Sequence, residues 1–535
     1  MIKNLKKCSI SHVTHIKLLL TMVTCIASSA LSATSEVSIS KNLFLQRAFS
    51  ANTTRELLME GHVTPTDFDG FYSFFSFTGA YQHSWEQNEQ YGIGAFPFWS
   101  GTNSMTVGTN NGANAVDAYQ FGLGQVTTAG SITLNPIVYQ GGTDLLLYLG
   151  SSINDPGAFI KIKVPLGVIV INPQLTEGQI TAAANYPAGE LSLSTSAVND
   201  PATTMTQAFA GYLSGGQEAN GDFLPMQYGL INGKQSSGAQ FGDFEMTLGY
   251  NILCNEDHVL GLAFRASGPS ANTPTGEFLL QPIFGRGGYW GVGGYIFGKS
   301  KLWENHTNSS LTVNVMATVL HLLNTSTVRS YDLTLNGPGS KYLLVADFGN
   351  NTYGGVIQNL INVSTLDSSS SFSAEGDVSI SLSYLSNGWS LDFGYNFWGR
   401  TAEELTITGS FPANQYAVLG RQSAGQVGLS PTTPGNLAQP NALINFSDNQ
   451  TNTISGNVVS ATIPSNRISG ITAFNVAAAE QASASTSKIF AKLGYSWLDS
   501  HFSPHVGVAG EFEISTCDNN ALPQWAVAFI GGFFF

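Results

Sequence analysis

Apolar side chains recur at every second position through much of this chain. From Asp243 to Ile252, Phe244, Met246, Leu248, Tyr250 and Ile252 share one face, while Asp243, Glu245, Thr247, Gly249 and Asn251 share the other. Such period-2 alternation predicts a strand with two unlike faces. After a polar turn at Cys254 to Asp257 the pattern resumes, with Leu260, Leu262 and Phe264 opposite Arg265. The clearest hairpin runs from Ala374 to Trp398. Val378, Ile380, Leu382 and Tyr384 oppose Glu375, Asp377, Ser379, Ser381 and Ser383. Asn387-Gly388 supplies a tight turn. Trp389, Leu391, Phe393, Tyr395 and Phe397 then return opposite Ser390, Asp392, Gly394 and Asn396.

The same rule sets Ile160, Ile162, Val164, Leu166 and Val168 against Lys161 and Lys163, and Leu311, Val313, Val315 and Val319 against Thr312, Asn314 and Thr318. Near the end, Ile489, Ala491, Leu493, Tyr495 and Trp497 oppose Lys488, Lys492 and Ser496. Past a turn at Asp499-Ser500, Val506, Val508, Phe512 and Ile514 oppose His505, Glu511 and Glu513. Weaker strand patterns lie near 69–82, 89–98, 117–126, 131–139, 144–150, 276–284, 287–298 and 328–347. The C-terminal half thus reads as consecutive antiparallel hairpins.

Composition separates two ways of using so many apolar residues. The chain is 43% hydrophobic, yet past its first residues no apolar run approaches the roughly 18 to 20 positions of a transmembrane helix. Only 10% of residues are charged, against roughly 25% in soluble domains, and Gly, Ser, Thr and Asn are abundant. Strands with lipid on one face and small polar groups on the other account for both facts. The last eleven residues sharpen this: Trp525, Val527, Phe529 and Phe533 alternate, Gly531 interrupts their face, and the chain ends on Phe535. This tail resembles the C-terminal assembly signal of bacterial outer-membrane barrels, which implies contact with the barrel-insertion machinery. The expected fold is therefore all-β, a transmembrane antiparallel up-and-down β-barrel in outer-membrane lipid, with roughly 14 to 18 strands and long loops.

At the other end, Lys3, Lys6, Lys7 and Lys17 precede a short apolar core from Leu18 to Ala27 and the small residues Ser28, Ser29, Ala30 and Ala33. Residues 1 to 33 read as a signal peptide. Residues 34 to 66 form a distinct N-terminal segment. Within it Thr53 and Glu56 stand at capping-box spacing ahead of Leu57, Leu58 and Met59, so a short helix is expected, either plugging the lumen or packing on the rim. Residues 67 to 535 form the barrel, with long loops near 101–116, 173–237 and 401–484.

A net charge of −14 excludes nucleic acid as a partner, since phosphate neutralisation needs a basic surface. On the strand faces assigned above, Lys161, Lys163, Asp243, Glu245, Arg265, Glu375, Asp377, Asp392, Lys488, Lys492, Glu511 and Glu513 point into the lumen. Opposed charges across a water-filled channel tune ion passage, whereas charges that pair would fill it. Of the cysteines that outlast signal removal, Cys254 and Cys517 could pair only if their loops share one end of the barrel. Gly293 to Ser300 matches the letters of a phosphate loop, G-x-x-x-x-G-K-S, but falls inside a Gly-rich strand with no helix after it. No Cys/His spacing suggests a metal, and no cofactor is expected. His258, His321, His501 and His505 stand outside any nucleophile motif, so no enzymatic activity is expected.

Pro274-Thr275-Gly276 with Trp290, Asn336-Gly337-Pro338-Gly339 through Leu343-Leu344, and Gly394 to Arg400 together resemble motifs of porin-like, major-outer-membrane-protein-like proteins of intracellular bacteria. The resemblance spans about Phe241 to Arg400 plus the C-terminal strands. It implies a barrel exposed at the cell surface and transfers no catalytic residue. The function expected is an outer-membrane pore for passive diffusion of small hydrophilic solutes, with slight cation preference. A surface adhesin or structural barrel, and a transporter of hydrophobic solutes, are the alternatives. Assembly as a homo-oligomer stays open.

Overall fold

In the computed structural model, twelve strands pair in sequence order and the last returns to the first, closing a barrel. The described residues are 43–60, 71–85, 96, 102–108, 115–123, 126–151, 155–182, 185–186, 198–199, 202–211, 223–255, 257–305, 309–349, 355–419, 467–497, 502–515 and 521–535. Residues 1 to 33, expected as a signal peptide, the expected Asp499-Ser500 turn and Cys517 lie outside them. The wall strands are β1 (Tyr72–Ser84), β2 (Ile137–Gly150), β3 (Gly157–Asn172), β4 (Phe244–Cys254), β5 (His258–Gly268) and β6 (Gly291–Glu304). They continue with β7 (Ser309–Ser330), β8 (Thr365–Ser386), β9 (Trp389–Arg400), β10 (Ala484–Ser496), β11 (His505–Ser515) and β12 (Gln524–Phe534). Every wall pairing is antiparallel, and β12 pairs with β1 in register from Phe74 with Phe534 to Ser84 with Gln524.

Twelve strands fall below the 14 to 18 expected, and the reason is local. Alternation near 117–126, 131–139 and 328–347 belongs partly to short strands, Ala115–Asp117, Gly130–Leu134 and Leu344–Asp347, that pair outside the wall. Residues 276–284 form no named strand. Conversely β7 and β8 are each 22 residues, about 70 Å at roughly 3.3 Å per residue, so they run well past a hydrocarbon layer of about 30 Å. A period-2 pattern reports a two-faced strand but not which sheet it joins.

Closure at the β12/β1 seam explains the tail. Val527, Phe529, Phe533 and Phe535 project outward, and Trp525 stacks near His83 and Tyr81 of β1. Gly531, which breaks the apolar face, faces Phe77 in register, and a Cβ there would lie 2.8 Å from the Phe77 ring. The aromatic of one strand fills the gap left in the next. Phe535 is pinned by backbone bonds in both directions with Ser73, so the chain end is a ladder position and not a loose tail.

The two ends of the barrel differ. Short connections such as Asn387-Gly388, at φ 48° and 85°, lie at the end that carries Phe535, while the connections 85–136, 173–243, 269–290, 331–364 and 401–483 all leave the opposite end. Outer-membrane barrels place short turns on the periplasmic side and long loops outside. The long loops fold on one another. Ser104–Gly108, Ala115–Asp117, Gly130–Leu134 and Leu175–Glu177 make one small sheet, and Phe223–Leu224, Leu344–Asp347, Ile357–Asn359 and Tyr416–Val418 another. Gln120 ties them: its Nε2 donates to the Leu419 carbonyl at 3.2 Å, and its Oε1 accepts from the Leu344 amide at 2.7 Å. Phe121 packs on Phe209 and Tyr342 at centroid distances of 5.1 and 5.7 Å. Much of 101–116 and 173–237, expected as plain loop, is thus a folded cap.

No helix among the described residues is long and apolar enough to cross a membrane; the crossing is made by strands. The outer wall is an apolar belt. Leu248, Phe264, Leu391, Phe393, Leu493 and Val508 are each more than half exposed. Trp389, Tyr495 and Trp497 cluster at the turn end, and Phe244 meets Trp290 edge-on at the loop end, as interfacial aromatic girdles do.

Candidate functional site: the filled lumen

A short helix α1 (Thr53–Met59) and the extended residues ahead of it, 43 to 52, lie inside the barrel, buried almost throughout. Asn52 caps α1 by accepting from the Arg55 amide, one residue earlier than the Thr53 cap expected from spacing. Thr53 is occupied elsewhere. Its amide and hydroxyl both donate to Asp377 of β8 at 2.8 Å.

The lumen-facing residues expected from alternation are all buried, and most of them meet this segment. Arg47 spans Asp377 at 2.8 Å and Glu513 of β11 at 2.9 Å, and donates to Asn396 of β9 at 3.0 Å. Arg55 Nε donates to Glu511 at 3.0 Å, and Lys488 reaches the other oxygen of Glu511 at 2.8 Å. Glu56 receives Arg265 of β5 on both oxygens, at 2.5 and 2.9 Å, with Lys163 of β3 at 3.4 Å and Lys161 at 3.8 Å. Lys161 also pairs with Glu60. Lys163 donates to the Ser50 carbonyl at 2.7 Å, and Lys492 of β10 to that of Leu58 at 2.9 Å. Burial by itself raises the pKa of Glu56, but the cations Arg265, Lys163 and Lys161 outweigh it and hold the carboxyl well below the usual range.

A second layer closes the lumen from the loop side. Arg286, in the β5/β6 connection, reaches Glu375 at 2.8 Å and Glu245 at 3.0 Å, while its amide donates to Asp243 at 2.5 Å. Toward the turn end, by contrast, Asp392 accepts from Ser383 and lies 3.9 Å from Lys492. Arg329 and Glu403 pair at 2.6 Å at the mouth, fully buried.

Alternation along the wall found the strand residues but missed Arg47, Arg55, Glu56, Glu60 and Arg286, because none of them sits on a period-2 stretch. A usable signal was present. Arg47, Arg55, Glu56 and Glu60 crowd into one short segment of a chain only 10% charged. Other candidates disperse. Gly293 to Ser300 lies wholly within β6, so its glycines bend around no phosphate. His258 pairs with Ser300 at 2.9 Å near the turn end, His321 faces the Ser373 carbonyl on the outside, His505 is buried in β11, and His501 lies outside the described residues. Cys254 is buried at the end of β4. Among the described residues no group of His, Cys, Asp and Glu could hold a metal.

A closed antiparallel barrel with an apolar outer belt, aromatic girdles and a polar interior defines an integral outer-membrane β-barrel protein, and this chain is one. No protein-family model and no curated protein matches the sequence. Among solved structures it is similar to a Pseudomonas aeruginosa FadL homologue, at 9% identity and TM-score 0.27 over 92% of this chain and 98% of that one. It is also similar to Pseudomonas putida OprB, at 9% identity and TM-score 0.19 over 92% and 99%. A loop-deleted form of the Vibrio cholerae outer-membrane protein OmpT aligns at 8% identity and TM-score 0.22 over 87% and 100%. The barrel itself is read from this chain's own strand pairing.

Proposed function

We propose that the protein is a gated conduit for small hydrophilic solutes, in which residues 43 to 60 are the gate. The observation that carries this reading is the wall left behind the segment. Ser379, Ser381, Ser383, Ser390, Asn396, Thr247 and Thr318 line it together with the paired charges, all buried. Such a surface is stable against water or against polar partners but costly against hydrocarbon. An interior built only to be filled could use apolar packing, for which replacing buried ion pairs is often neutral or stabilising. The same lining speaks for hydrophilic over apolar cargo. Acids and bases alternate around it, so the cation preference expected from net charge has little support in the lumen.

Planar-bilayer conductance tests the proposal. The full chain should conduct little or in brief events, and a variant lacking residues 43 to 60 should conduct steadily. If that variant folds, judged by heat-modifiable gel mobility, and still passes no ions, the conduit reading is wrong. The alternative of a structural or adhesive barrel then stands, supported by the folded external cap.

A further inference from the structure

Cations are scarce on the surface of this barrel. Of the lysines and arginines among the described residues only Lys234 is exposed, the others being buried or half-buried. It stands where the 173–243 connection comes back to the wall: Gln235 and Ser236 pair with Ile171 and Val170 of β3, and Tyr139 of β2 pairs with Val170 from the other side. The Lys234 ammonium lies over an outward ring, 5.0 Å from the centroid of Tyr139, and makes no ion pair with a described residue. Tyr139 in turn begins a row. His83 of β1 stacks on it at 6.1 Å with 11° between the planes, and Trp525 of β12 stacks on His83 at 5.8 Å and 19°. These three are partners in register across β2, β1 and β12, near the end from which the long loops leave.

Below this row the outer wall is scooped out. Gly141 follows Tyr139 on the same face, beside Tyr81, and the next row carries Gly79 opposite Thr143. A Cβ at Gly79 or Gly141 would find no atom within 4 Å. Phe77 and Tyr81 stand on either side of Gly79 along β1, and Phe529 beside it on β12, so the two glycines floor a shallow trough rimmed by aromatic rings. Aromatic side chains at this end mark the headgroup level of the outer leaflet, where a cation attracts anionic headgroups. A hydrocarbon chain laid in the trough gains contacts that a flat wall does not offer.

From this arrangement we infer that the outer wall between Lys234 and Phe77 binds a phosphorylated, acylated glycolipid of the outer leaflet. One phosphate takes the Lys234 ammonium. The Tyr139 hydroxyl and the Trp525 indole N–H, which make no hydrogen bond with described residues, meet the sugar hydroxyls. One acyl chain lies over Gly141 and Gly79. A phosphatidylglycerol shares the anionic phosphate but lacks the sugar, and so engages only part of the row. The site lies on the outside of the barrel and does not depend on whether the lumen conducts.

The test is native mass spectrometry of the full chain, refolded in detergent and titrated with diphosphoryl lipid A, its dephosphorylated form and phosphatidylglycerol. Diphosphoryl lipid A should bind saturably and more tightly than phosphatidylglycerol. Removing its phosphates should weaken binding about fivefold, the contribution expected of one interfacial Lys. Lys234→Gln should impose the same loss on diphosphoryl lipid A and none on the dephosphorylated form, with heat-modifiable gel mobility unchanged because the side chain is exposed. Gly141→Leu, which fills the trough, should weaken both forms. Absence of saturable binding, equal affinity for the two forms of lipid A, phosphatidylglycerol bound as tightly as diphosphoryl lipid A, or undiminished affinity in either variant would each overturn the inference.

Discussion

The two faces of β9 are built for different surroundings. Outside, Trp389, Leu391, Phe393 and Tyr395 stand exposed on the face that a bilayer would cover. Inside, Ser390, Asp392 and Asn396 are buried, and Asn396 alone donates to Asp377, Ser379, Thr53 and the Val378 carbonyl. The outer face needs only to be apolar, because its partner is a fluid of generic chemistry. The inner face is matched atom by atom to one other segment of the same chain. Substitutions should therefore be judged by bulk polarity outside and by specific partner inside.

The largest effect should come from breaking an inner match. Asp377→Ala removes one of the two carboxylates that Arg47 spans and the acceptor of the Thr53 amide, leaving Arg47 to Glu513 alone; breaking a buried pair costs about 3 to 5 kcal/mol, and less where a second carboxylate remains. Conductance events should become frequent and residues 43 to 60 open to protease, with the barrel still assembled. An unaltered trace would show that the matching does not hold the gate.

Next come the outer-face charges. Leu382→Arg places a cation against the lipid-facing belt at about 2 to 4 kcal/mol if at the midplane, Leu391→Arg, nearer the Trp389 girdle, costs less, and Ser381→Asn stays within a polar interior. Yield of heat-modifiable barrel from outer membranes should fall for the first two and stay level for the third; equal yields would erase the distinction between the faces. A smaller loss, about 1 kcal/mol, is expected for Gly531→Ala, because the Phe77 ring must shift to admit the new methyl. A lowered melting temperature with normal conductance would place that effect on the seam alone.

The smallest expected change sharpens the inner half of the comparison. The Glu56 carboxyl is depressed in the folded protein, so the stability it lends is fully present above its unfolded value of about 4.3 and is lost only as pH falls further, through the folded value. Gating traces should therefore be flat from about pH 8 to pH 5. A wild-type protein that opens on mild acidification would mean that another group is the latch.

Which of these features could be read from residues alone follows the same division. Leu382, Leu391 and the twelve inward charges were assignable because a strand turns each successive side chain to the opposite face, and lipid selects for hydrophobicity regardless of detail. Strand number was misjudged where short pairs such as Gly130–Leu134 and Leu344–Asp347 carry wall-like alternation inside the cap. Arg47, Arg55 and Glu56 gave no periodic signal, since an irregular segment and a two-turn helix owe their place to partners hundreds of positions away.

Alternation and composition were enough by themselves to point to a membrane barrel and to sort its wall residues by face, because those properties depend on the nearest few neighbours and on the solvent. Closure at twelve strands and the threading of residues 43 to 60 through the lumen were settled only by the fold. Those depend on which distant groups arrive within hydrogen-bonding reach, and an ion pair between positions 47 and 513 leaves no mark on local pattern.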